Sequence, residues 1–145
     1  MIGYLSNRAL QDHESDVAAR GAARVQQARL LDVAGDLAAM LEVGRGFDSR
    51  SIPPDLTVDD KRLMASELSP EQWADVIRSE SALRKLQDLE TLVDAPDTGT
   101  LIDATSCTVL HAQLEHLLRG ATALADLAQV DIPPDARQAG TGDRC

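Results

Sequence analysis

Between residues 101 and 130, Cys107, Leu110, Leu114, Leu117, Ala121, Leu124 and Ala128 recur at alternating steps of three and four. Steps of this kind keep side chains on one side of a 3.6-residue turn, so the stretch reads as a helix with a continuous apolar seam. Leu118, Ala125 and Leu127 form a second row beside the first. An apolar face that broad needs more than one neighbour, which makes this the expected central helix of a bundle.

The rest of the chain has to supply those neighbours from 145 residues, enough for one domain and too few for two ordinary cores. Its apolar content is mainly 20 Leu and 21 Ala, with Tyr4, Phe47 and Trp73 as the aromatics. Leu and Ala are strong helix formers, whereas strands favour β-branched and aromatic residues, so the expectation is all-α. Specifically, the pattern predicts a four-helix bundle-like domain over residues 1–130 with a long N-terminal helix, followed by a disordered C-terminal tail over residues 131–145. That tail is expected from its proline pair Pro133 and Pro134, its Gly-Thr-Gly and its few apolar residues.

Helix one is expected to begin at Ser6 or Asn7 and to stop at Gly44 and Gly46. In its second half Leu30, Ala34, Leu37 and Leu41 make a strong apolar row, while the first half is mostly alanine among Arg, Gln and Asp. A bend at Gly21 is open, since glycine costs about 1 kcal/mol against alanine inside a helix. Pro53 and Pro54 interrupt the next stretch, where Phe47 and Ile52 are expected to pin the connection to the bundle. Thr57 with Asp60 opens helix two, whose Leu63, Met64 and Leu68 should face inward. The strongest local signal is Ser69-Pro70-Glu71-Gln72, which combines a capping hydroxyl, a proline at the first helical position and a glutamine three residues after the cap. Helix three is therefore expected to start at Pro70, to carry Trp73, Val76, Ile77, Leu83, Leu86, Leu89 and Val93 inward, and to end near Asp94. Thr100 with Asp103 offers a similar box for helix four.

Charge narrows the partners. A formal net charge of -10 opposes attraction to nucleic acid or anionic lipid, which depends on clustered Lys and Arg. Imitation of nucleic acid needs a dense row of carboxylates, and here acids alternate with bases through most of the chain. The longest apolar run, residues 37–41, is far below the ~20 residues of a membrane span, and no basic segment followed by an apolar core opens the chain. A soluble, cytoplasmic protein is expected (host cytoplasm or virion if viral). Cys107 on the seam and Cys145 at the last position read as thiols in a reducing compartment.

Chemistry finds little footing. Cys107, His111 and Glu115 are spaced four apart, but successive steps of four drift by about 40° around the helix, so one ion could scarcely reach all three. The Glu-x-x-His pair of di-iron bundles is absent, as are Gly-x-Ser-x-Gly, phosphate-loop and Cys-x-x-Cys motifs. Gly44 and Gly46 end a helix where a dinucleotide loop would open one. His13 with Glu14 and Asp16 resembles an acid/base group on paper, but His13 and Asp16 read as a solvent-exposed pair one turn apart. No catalytic residue, cofactor or metal is expected, and the chain is read as a non-enzyme.

What remains unusual is the alanine-rich middle of helix one. Ala18, Ala19, Ala22 and Ala23 would let another helix approach closely, and Arg20 and Arg24 add a basic edge. These six residues are the candidate partner-binding positions. The expectation is a non-enzymatic protein–protein interaction protein, an adaptor, assembly or regulatory subunit of bacterial or viral (phage) origin, binding another protein or itself as a homo-oligomer. The alternative is an acidic inhibitor that occupies a basic site on a nucleic-acid enzyme or regulator.

Overall fold

The computed structural model describes residues 2–43, 55–93 and 104–138. Within them lie five helices and no strand: α1 (Ile2–Val43), α2 (Val58–Glu67), α3 (Pro70–Val93), α4 (Ala104–Ala128) and the short α5 (Pro134–Gln138). The all-α, bundle-like expectation holds, with α4 at the centre. Both α1 and α3 pack along α4, α2 lies against α1, and α5 touches α1.

The seam of α4 is buried throughout, from Cys107 and Leu110 to Leu124 and Ala128. Leu118, Ala125 and Leu127 are half-buried at its border, as a second row facing a second neighbour should be. The buried row of α1, Leu30, Val33, Ala34, Leu37 and Leu41, fills one side of that seam. Contacts fix the direction of packing: Arg24 meets Ala128, Gln27 meets Ala121, and Leu30 lies beside Gly120. Position rises along α1 as it falls along α4, so the two helices run antiparallel.

Local chemistry sets the helix ends. The Thr57 side chain accepts from the Asp60 N–H at 3.1 Å to open α2, and the Leu68 N–H returns to Met64 O at 3.1 Å to close it. At α3 the reciprocal box is complete: Ser69 Oγ accepts from the Gln72 N–H at 3.2 Å while Gln72 Oε1 accepts from the Ser69 N–H at 3.0 Å. Two amides that a helix start leaves orphaned are thereby satisfied.

Several boundaries differ from the sequence reading. Helix α1 begins at Ile2 and runs unbroken through Ser6, Asn7 and Gly21. A serine or asparagine inside a helix costs well under 1 kcal/mol, so a preference for caps does not interrupt a helix that is anchored downstream. Ile77, expected inward, is exposed, because Val76, Ser79, Glu80 and Leu83 define the buried face of α3 and Ile77 lies one 100° step beyond it. Helical structure also continues past residue 130: Ile132 is buried in the core and α5 follows it. The expectations for Phe47, Ile52, Thr100, Asp103 and Cys145 lie outside the described residues, as do the side chains of Leu89 and Val93.

Candidate interaction surface

The middle of α1 does two jobs on two faces. Inward, Ala19 and Ala23 are 1% and 0% exposed. Next to them Gln27 reaches across to α4, its Nε2 donating to Val130 O at 3.0 Å and to Ala121 O at 3.4 Å. The Arg24 Nε donates to Ala128 O at 2.7 Å. Two of these acceptors, Ala128 O and Val130 O, lie where α4 ends and carbonyls lack helical partners, and the guanidinium also opposes the negative end of the helix dipole.

The end of α4 turns sharply at Gln129, whose φ of 55° is left-handed. Val130 N–H returns to Ala125 O and Gln129 N–H to Asp126 O, both at 3.3 Å, the paired bonds of a Schellman turn. That turn sends the chain back across α1, where Ile132 and Ala136 join the core. Ala19 and Ala23 are buried on this side of α1, so both residues leave the accessible face. Of the other candidate positions, Ala18 is exposed, Arg20 and Ala22 are half-buried, and Arg24 is largely exposed while holding Ala128.

Toward the N-terminus the picture changes. Every residue from 7 to 18 is exposed, on all sides of the helix. With 42 residues α1 is about 63 Å long, against about 37 Å for the 25 residues of α4, and their antiparallel register leaves this part of α1 beyond the end of α4. His13, Glu14 and Asp16 stand on this arm, all solvated. So do Leu10 and Val17, 59% and 52% exposed, and Val25 continues their side of α1 at 52%.

A different polar cluster sits within the body. Glu80 on α3 is 2% exposed; its Oε1 accepts from the Leu56 N–H at 3.2 Å, and its Oε2 lies 3.3 Å from Lys61 Nζ on α2. Arg84, one turn along, comes within 4.0 Å of the same carboxylate and 3.9 Å of Asp55. The arrangement clasps the segment entering α2 onto α3. Its carboxylate is engaged by a backbone amide and cations, which is the chemistry of an anchor.

The spaced trio on α4 does not converge. Cys107 is disulfide-bonded, which corrects the expectation of a thiol there, and Glu115 pairs with Arg119 at 2.8 Å on the surface. Among the described residues no three His, Cys, Asp or Glu side chains come together to hold a metal ion, and no helix is long and apolar enough to cross a membrane.

Two structural residues escaped the sequence reading, Glu80 and Gly120. A Cβ built on Gly120 collides with Oγ and Cβ of Ser79 and comes within 3.2 Å of Leu30 Cδ1, so at this glycine α4 lies close against both α3 and α1. The signal for it was present: a glycine inside an otherwise strong helix carries a cost that packing has to offset. Comparison with protein-family models, with curated proteins and with solved structures gives no match for this chain.

Proposed function

We propose that this chain is a non-enzymatic protein–protein interaction protein, an adaptor, assembly or regulatory subunit, and that the N-terminal part of α1 is its contact element. The observation that supports this reading is the fully exposed arm over residues 7–18, with Leu10 and Val17 in solvent. An isolated helix of that length is marginal in water, and its apolar side chains gain about 25 cal/mol for each Å² removed from solvent. Both terms favour a partner that covers the arm.

The reading places the contact around Leu10, Val17 and Ala18, with the half-buried Arg20 and the exposed Arg24 at its border. Its test is affinity capture from source cells with the full-length chain and with a Leu10→Glu, Val17→Glu variant of equal helicity. A partner retained by the first and lost by the second supports it. Retention by both rejects the arm as the contact. Binding that survives moderate salt is expected for an apolar helix face, whereas steep salt sensitivity with competition by DNA or RNA would favour the inhibitor reading.

A further inference from the structure

We propose that residues 55–67, the lead-in to α2 and α2 itself, form a strap that opens as one unit from an intact bundle of α1, α3 and α4, hinging at Leu68. Both α1 and α3 pack along α4, and among the described residues they contact each other little, so α2, which touches both, lies over the groove between them. Its hold on that groove is narrow. Met64 is the buried residue of α2, Leu63 is half-buried beside it, and Leu56 is buried in the lead-in, while most of the remaining strap faces solvent. A helix of ten residues is too short to persist in water by itself, so α2 is helical because it is docked and melts once it lifts.

The rest of the attachment is polar and is centred on Glu80, which belongs to the bundle side. Its Oε1 accepts from the Leu56 N–H at 3.2 Å and its Oε2 lies 3.3 Å from Lys61 Nζ, so the strap brings a backbone amide and a cation to a carboxylate that is 2% exposed. Lifting the strap removes both partners and at the same time returns Glu80 to water. Rehydration of a buried carboxylate offsets much of the attraction that is lost, so this clasp sets the closed position while adding little to the cost of opening. Exposure of Leu56 and Met64 supplies most of that cost.

The junction with α3 is built to let the strap move alone. Leu68 is extended, with φ −98° and ψ 150°, and its N–H closes α2 on Met64 O. Ser69 belongs to α3: its side chain and N–H form the capping box with Gln72, its carbonyl accepts from the Trp73 N–H at 2.9 Å, and Pro70 restricts its backbone. Rotation about the two Leu68 dihedrals therefore breaks no hydrogen bond of either helix. The start of α3 stays capped whether α2 is docked or not.

The test is native-state hydrogen exchange of the full chain, resolved by residue and repeated across low urea concentrations. The amides of Leu56, Lys61 and Leu68, which bond to Glu80, Thr57 and Met64, are expected to share one protection, on the order of a hundredfold below that of Leu114, Leu117 and Leu124 in α4. Their dependence on urea should be shallow, because opening the strap exposes little surface, whereas the α4 amides should follow the slope of global unfolding. Glu80→Ala should speed exchange of the strap amides about tenfold by leaving the Leu56 N–H without its acceptor in the closed state. Equal protection and equal slope for the strap and α4 would show that α2 opens only with the whole domain and overturn the proposal. Protection that falls off residue by residue toward the ends of α2, with the Leu56 amide apart from the rest, means fraying and overturns it too. So does a strap whose exchange is unchanged in Glu80→Ala.

Discussion

Replacing Gly120 by alanine sets two effects of opposite sign against each other. In a solvated helix the change stabilises by about 1 kcal/mol, because glycine has more backbone freedom to lose. At Gly120 the new methyl would overlap the Ser79 Cβ, which is bonded directly to the α3 backbone, and press on Leu30 Cδ1 at 3.2 Å. Rotating the serine moves its Oγ but leaves its Cβ in place, so relief requires α3 to move away from α4. That shift would loosen contacts along the seam on both sides. Overpacking of this kind costs about 1–3 kcal/mol and more when backbone must move, so we expect net destabilisation of about 2 kcal/mol after the propensity gain. Urea unfolding followed by far-UV circular dichroism reads it as a lower midpoint at unchanged slope. Gly35→Ala, with open space around it, is the control and should raise the midpoint. Combining Gly120→Ala with Ser79→Gly should cost less than the sum of the two changes by at least about 1 kcal/mol, since the colliding atom is gone. A Gly120→Ala midpoint raised as far as that of Gly35→Ala would refute the close approach.

Gln129→Gly should stabilise the domain by about 1 kcal/mol, because the left-handed φ there suits glycine and strains a residue with a Cβ; thermal unfolding checks it. Glu80→Ala strands the buried Leu56 N–H and should cost about 1–3 kcal/mol, whereas Glu80→Gln keeps an acceptor and should cost less, a ranking that denaturant titration reads directly. Ala23→Glu places a carboxylate at a 0% exposed site and should unfold the domain or nearly so, while Ala18→Glu on the solvated arm should leave the unfolding midpoint within about 0.5 kcal/mol of wild type.

The helical architecture was legible because it rests on local physics. Alternating threes and fours between Cys107 and Ala128 identified the buried face of α4, and the Ser69-to-Gln72 box identified the start of α3, since each depends on residues within one or two turns of each other. Tertiary packing decided everything that depends on which surface meets which. The alanines at 19 and 23 look the same in sequence as the alanine at 18, yet packing buries the first two and leaves the third in solvent. Arg24, a basic edge in the sequence, and Gln27 take their places only because the end of α4 arrives beside them with carbonyls to satisfy. Three glycines, Gly21, Gly35 and Gly120, carry the same local cost in a helix, and only the position of Ser79 and Leu30 shows that one is required by the fold and two face open space. Periodicity tells how a helix divides into faces, and only the register between helices tells how far along its length a face is covered. On α1 that cover stops short of residue 18.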